Sequence, residues 1–206
     1  MKRKKKFVHI FWIVPVIVVC LVIGSAVAYA AMTVREEKAN IFQIGDLQTK
    51  VNEVFNEPTT ILLDTSVEKK IAVENTGTIN QFVRVMIHPE IQLKNGESNQ
   101  LLPSQIGEEI VLDLDNVNWK FGEDGYYYYL KILKPGQTNI SENLFKNVKL
   151  KKGLGPEYHN AAFSLLVKVE AINCTKYAYR DAWWQGSVPN SGALQVIDKE
   201  LNGKSE

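Results

Sequence analysis

Cysteine and histidine are scarce in this chain, with two cysteines and three histidines among 206 residues. Cys20 and His9 both fall in the first 30 residues, so the rest of the chain holds only Cys174, His88 and His159. A single cysteine excludes an intramolecular disulfide, and the folded region must be held by its core. Cys174 ends an alternating run, Lys168-Val169-Glu170-Ala171-Ile172-Asn173, which reads as a buried structural thiol. Two histidines without an H-E-x-x-H spacing provide no zinc motif, and His88, next to Pro89, reads as a strand-end residue. A G-x-S-x-G nucleophile elbow is missing as well. The Gly153-Leu154-Gly155-Pro156 stretch lacks the Lys and Ser/Thr of a phosphate-binding loop. Asp113-Leu114-Asp115-Asn116-Val117-Asn118 alternates oxygen donors but lacks the Gly and bidentate Glu of a calcium loop in register, so a strand end is the simpler reading. These absences point away from an enzyme, and no cofactor or metal is expected.

Charge is also missing over one long stretch. Lys2, Arg3, Lys4, Lys5 and Lys6 are followed by Phe7 to Ala30 without a single Asp, Glu, Lys or Arg. A basic start, an apolar run and the small-residue end Ala28-Tyr29-Ala30 have the pattern of an export signal. The expected cut follows Ala30 and leaves Ala31 as the first mature residue, with Ala28 as a second candidate. The apolar run is long enough to span a bilayer. Its small-residue end, together with Pro15 and His9, favours removal by a signal peptidase over permanent anchoring. The expectation is a secreted protein that meets the membrane only through its leader. Taking the leader's five basic residues from the chain's 24 leaves 19 against 23 acidic ones, a net charge of −4. A weakly acidic chain argues against nucleic acid as a partner.

What is present is a series of short β signals. Lys70–Asn75, Gln81–His88, Glu109–Leu114, Val117–Phe121, Tyr126–Leu133, Asn143–Leu150 and Phe163–Asn173 read as strands punctuated by Gly, Pro and Asn turns. Around Gly122-Glu123-Asp124-Gly125 the pattern is that of a hairpin. About seven short strands suit an all-β sandwich or jelly roll. A short helix or irregular cap is expected over Lys176–Trp184, and the polar tail 195–206 is expected to fray. The expected organisation is residues 1–30 as signal, 31–55 as an N-terminal segment, 56–194 as the β domain and 195–206 as tail. Within Tyr126, Tyr127, Tyr128 and Tyr129, two rings should face the core and two outward. The outward pair is a candidate contact surface for glycan or protein, although ordinary cross-strand packing is the favoured reading of the run.

The segment after the leader holds Asn40, Ile41, Phe42, Gln43, Ile44, Gly45, Asp46 and Leu47. Such a short apolar strand needs a sheet edge, in its own domain or in a neighbour's. Four stretches carry a family likeness. The first is the leader end Gly24-Ser25-Ala26-Val27-Ala28-Tyr29-Ala30 with Asn40 to Gly45, and the second is Val73-Glu74-Asn75-Thr76-Gly77-Thr78 with Gln81 to Val85. The third is Trp119, Asp124 to Tyr129, Leu133 to Thr138 and Leu144-Phe145, and the last is Val169 to Cys174 with Ala182-Trp183. In these the chain resembles the TasA/camelysin-like, BsaA-type exported matrix proteins of Gram-positive bacteria, which a dedicated SipW-type signal peptidase processes. The resemblance implies a jelly-roll-like β-sandwich and assembly into extracellular fibres of a biofilm matrix, with itself and other exported subunits as partners. It also implies that the segment after the leader is the donor strand, mapping onto Asn40, Ile41, Phe42, Ile44, Gly45 and Leu47. Asn173-Cys174 departs from a common Gln-Ala. The metallopeptidase activity ascribed to camelysin is not carried over, because no ligand set is present.

Overall fold

A computed structural model describes residues 47–55, 63–95 and 98–206 of the chain. They belong to the second of two compact units, Gly45–Glu206, the first being Met1–Ile44. The expected signal helix, Ala28, Ala30 and Ala31, and the candidate donor residues Asn40, Ile41, Phe42, Ile44 and Gly45 lie outside the described residues.

The described region is mostly β, in two antiparallel sheets. Its strands are β1 (Thr49–Phe55), β2 (Val67–Asn75), β3 (Gln81–Asn95), β4 (Ser98–Leu102), β5 (Ile110–Leu112), β6 (Trp119–Phe121), β7 (Tyr126–Tyr129), β8 (Phe145–Leu150) and β9 (Ala161–Asn173). Two helices follow, α1 (Ala178–Trp184) and α2 (Gly192–Asn202). The first sheet runs β1-β2-β8-β5, and the second runs β4-β3-β7-β6 with β9 on the other side of β3. The expected hairpin is there, with Trp119 opposite Tyr129 and Phe121 opposite Tyr127. β1 and β4 carried no strand signal of their own, and β1 lies in the stretch expected to precede the domain.

The turn between β2 and β3 carries the chain from one sheet to the other. Asn75, 1 % exposed, holds this crossing. Its Nδ2 donates to the carbonyls of Ile79 (2.8 Å) and Leu133 (2.9 Å), while its Oδ1 accepts from Gly77 N (3.0 Å) and Gln81 Nε2 (2.9 Å). A buried amide with donors and acceptor all engaged fixes the geometry of the turn. Between the sheets, Ile71, Val73 and Phe145 meet Val83, Val85, Ile87, Trp119, Tyr127 and Tyr129 in one apolar core. A second cluster toward the far end joins Ile91 to Ile110, Val148, Leu150 and Tyr158.

His88 and Pro89 do not end β3, contrary to the expectation from sequence. The strand continues to Asn95, and Pro89 lies opposite Leu165. Gln81 exchanges backbone hydrogen bonds with Leu133, away from β9, so alternate residues from Gln81 onward turn their polar groups that way. Pro89 therefore faces the gap between β7, which ends its pairing at Met86, and β4, which starts its own at Ile91. A proline there removes no ladder bond. Its carbonyl is taken up by the Ser104 hydroxyl (3.1 Å).

The tail is the second departure. Instead of fraying, α2 packs on the outer face of the second sheet. Leu194, Ile197 and Leu201 follow a helical spacing, and they join Phe82, Tyr128, Cys174 and Tyr179 in a third cluster. Asp198 ties the two helices together. It accepts from Arg180 Nε (2.6 Å), Arg180 Nη2 (2.9 Å) and the Tyr179 hydroxyl (2.8 Å). Gly122 allows the close approach: a Cβ there would sit 2.6 Å from Tyr128 Cε2 and 3.0 Å from Leu194 Cδ2. Replacing Ile197 with Ala should cost about 2–5 kcal/mol in urea unfolding, whereas Val196→Ala, on the exposed side, should stay within about 0.5 kcal/mol. Equal and negligible effects at both positions would mean that α2 does not pack.

Candidate functional site, an open sheet edge

A strand edge exposes backbone donors and acceptors, and the edges of the two sheets differ in length and lining. β5 and β6 have three residues each, and β4 has five. β1 has a charged pair on its inner side, Glu53 to Lys69, and a second on its outer side, Lys50 to Glu74 at 3.1 Å. β9 is different. It has 13 residues without glycine or proline, and it pairs with β3 alone, from Gln81 opposite Asn173 to Leu93 opposite Ala161.

The alternation set at Gln81 fixes which groups of β9 are free. The even positions of β9 exchange hydrogen bonds with β3, and the odd positions face away from it. Phe163, Leu165, Val167, Val169 and Ala171 thus present N–H and C=O groups that meet no backbone partner among the described residues. The side chains of these same residues point between the sheets, where they pack on the apolar clusters but stay half-buried. A core strand normally covers such residues from both sides. Here, among the described residues, no strand bonds to the second side, although β1 lies close beside it across the seam. Val51 of β1 packs on the same core as Leu165, Val167 and Val169.

The outer side of β9 is pinned by charge. Arg84, on β3 and only 8 % exposed, donates through Nε (2.9 Å) and Nη2 (2.7 Å) to Glu170 Oε2, and through Nη1 (3.0 Å) to the Tyr128 hydroxyl. Its guanidinium stacks over Tyr126 at 3.8 Å and lies 5.0 Å from the Trp183 ring. The Tyr126 hydroxyl (2.9 Å) and Lys168 Nζ (2.7 Å) complete the shell of Glu170. Burial raises the Glu170 carboxyl, but hydrogen bonds from Lys168, Arg84 and Tyr126 and the Arg84 charge outweigh it and hold the group at about 2.

Several residues singled out in the sequence lie elsewhere. Leu47 is described and 39 % exposed, just before β1. Tyr127 and Tyr129 face the core and Tyr126 and Tyr128 face outward, in line with the strand period, but the outward pair offers little contact surface. Tyr128 is fully buried under Trp183 and Trp184, with ring centroids at 5.6 and 6.0 Å. Its hydroxyl donates to Asp124 (2.6 Å) and accepts from Trp184 Nε1 (3.0 Å). The helices that follow β9 cover the platform that four tyrosines in a row suggested. Cys174 is buried, and burial pushes its thiol up to about 12. Asp113 and Asp115 use their carboxylates on backbone N–H groups, Lys146 and Asn147 for the first and Val117 and Asn118 for the second. No group of three or more His, Cys, Asp or Glu is placed to hold a metal among the described residues. The edge of β9 was not singled out from the sequence; the alternation from Phe163 to Ala171, broken only at Leu166, marks a strand and carries no signal of which neighbours it has.

Comparison of the chain with family models, curated proteins and solved structures gives no match.

Two measurements test this geometry. Val167→Pro removes a donor that faces the open edge, so the monomeric fold should keep its stability. Leu166→Pro removes a donor bonded to β3 and should cost about 1–3 kcal/mol. An equal loss for both would place the free groups on the wrong side. The second measurement is pH. Because the folded carboxyl of Glu170 lies below the unfolded value of about 4.3, its contribution is complete above that value and disappears as pH falls toward about 2. Urea midpoints should therefore separate wild type from Glu170→Gln at pH 7 and converge near pH 2. A constant separation across that range would contradict the assigned ionisation.

Proposed function

We propose that this chain is an exported structural subunit that polymerises outside the cell by adding a strand to the open edge of β9. The observation that carries the reading is the edge itself, a long run of backbone groups without a backbone partner among the described residues, backed by half-buried apolar side chains. Such an edge is a ready template for an extended peptide, with the backbone supplying affinity and the alternate side chains supplying selectivity. The occupant is the segment Asn40 to Leu47 of a second copy, presented after a signal peptidase removes the leader at Ala30. The two sheets then form a jelly-roll-like sandwich that the added strand completes. Repeated head to tail, the contact is heterologous and generates a filament rather than a closed ring. The resemblance to TasA/camelysin-like matrix proteins supports the same reading, with a biofilm matrix as the setting and other exported subunits as further partners.

The chain beginning at Ala31 should form filaments visible by electron microscopy, with mass in light scattering rising with concentration and time. Deleting Asn40–Leu47 should abolish the filaments while leaving the unfolding transition of the domain in place. Filaments from the deleted chain, or a permanent monomer from the intact one, would overturn the proposal.

A further inference from the structure

β1 and β9 bring matched free groups to the two sides of the seam. Thr76 N donates to the Gln48 carbonyl (3.0 Å), one step beyond the pairing of Thr49 with Asn75. Even positions of β1 and β2 therefore bond each other. The odd positions of β2 agree, because the Val73 carbonyl accepts from Ser141 N (2.9 Å) and Asn75 N donates to the Asn139 carbonyl (2.7 Å), both away from β1. Thr49, Val51 and Glu53 accordingly turn their N–H and C=O groups away from β2, onto the side where β9 lies. The odd positions of β9 are the ones that face this seam.

Sense and pleat match as well. The Gln48 carbonyl also accepts from Gln81 Nε2 (3.1 Å), and Gln81 lies opposite Asn173, so β1 starts at the Asn173 end of β9. β1 finishes at Phe55, opposite Lys69, beside the cluster that holds Val67 and Phe163. It therefore runs against β9. Val51 packs on the same core as Leu165, Val167 and Val169, so the odd side chains of both strands point inward, as opposed residues of an antiparallel pair do. The two strands already come within 8 Å of each other, Cα to Cα, and an antiparallel pair needs about 5 Å.

We infer that the seam is a switch within one chain: β1 closes on β9 as an antiparallel strand, with Val51 opposite Val169, and covers the edge. The described structure is its open state. Among registers that keep odd residues opposed, this one sets Val54, 46 % exposed, beside Leu166, 70 % exposed, and Lys50 beside Glu170. A shift of two residues one way puts Val54 against Lys168, and the other way puts Lys50 against Lys168. Glu53 comes to stand opposite Val167 and keeps its ion pair with Lys69 of β2, so closure strips no charge of its partner. A third strand between β1 and β9 would need about 10 Å, twice the strand spacing. A closed seam and an added strand thus exclude each other, and β1 acts as an internal block on the edge. That consequence rests on the fibre reading above, whereas closure itself does not.

Asn52 and Lys168 become opposed on the outer face, clear of the core, so Asn52→Cys combined with Lys168→Cys tests the closure. The chain beginning at Ala31 is used, since it contains the whole unit Gly45–Glu206, and an unfolding transition verifies each variant. Mild oxidation should join positions 52 and 168, read by mass spectrometry of the peptides, and Val54→Cys with Leu166→Cys should link likewise. Asn52→Cys with Ser164→Cys, four residues out of register, should stay reduced. Mixing isotope-labelled with unlabelled chains separates a link within one chain from a link between two. In the linked chain the amides of Val167 and Val169 should exchange about tenfold or more slowly than in the reduced one. No link at 52–168, a link only between chains, equal linking of the Ser164 pair, or a link without slower exchange would each overturn the inference. Filaments should grow from the reduced chain and not from the linked one. Filaments from a fully linked chain would overturn β9 as the acceptor and leave closure standing. A link with slowed exchange but no filaments from either form would leave closure standing and overturn the fibre reading.

Discussion

The pairing of β3 with β9 is the constraint on which the rest of the molecule depends. β3 carries β9 along one side and divides its other side between β7 and β4, so every strand of the second sheet is positioned through it. A strand shared so widely leaves little freedom of register, because a slip of one residue would exchange Val83, Val85 and Ile87 with Phe82, Arg84 and Met86. The first set fills the core between the sheets. On the other face, Phe82 and Arg84 take the C-terminal helices. Pro89 is tolerated in the middle of this strand because its ring falls where neither neighbour reaches.

Arg84 shows how the second face is held. A guanidinium this deeply buried is costly unless its donors are occupied. Glu170 and Tyr128 take three of them, and the flat faces of Tyr126 and Trp183 enclose the charge. The residues involved come from β3, β7, β9 and α1, so one charge links β9 to the helical cover. The Tyr128 hydroxyl passes the connection on to Trp184 and Asp124. Removing any one partner would leave a buried polar group unsatisfied, and the network therefore resists piecemeal change more than its surface position suggests. Its effect on β9 is to tie the outer side of the strand, through Glu170, to β3 and β7.

Much of this was legible in the sequence, and the failures have physical causes. Short β runs located β2, β3, β8 and β9, Asn75-Thr76-Gly77 placed the boundary between β2 and β3, and Gly122 to Gly125 placed the turn between β6 and β7. β4 was invisible because Ser98-Asn99-Gln100 has no strand propensity. The tail was misjudged because Asp198, Lys199, Glu200 and Asn202 dominate its composition, while Leu194, Ile197 and Leu201 carry its period. His88-Pro89 looked like a strand end because proline breaks an internal strand, and a gap between neighbouring strands cannot be seen in sequence. For the tyrosines, the strand period gave the facing correctly, but what covers a face is a tertiary fact. The open edge of β9 is of the same kind, since alternation identifies a strand without identifying its neighbours.

The unequal treatment of the two edges along the seam bears on what kind of assembly is reachable. β1 has an ion pair on its inner side, Glu53 with Lys69, a device that discourages a new strand. β9 has only apolar residues on its inner side, from Phe163 to Ala171. A contact between two copies of the same edge would be isologous and would stop at a dimer. Under the proposed strand addition, the incoming segment would have to pass beside β1, which already lies along the seam, and the apolar residues behind β9 are what it would cover.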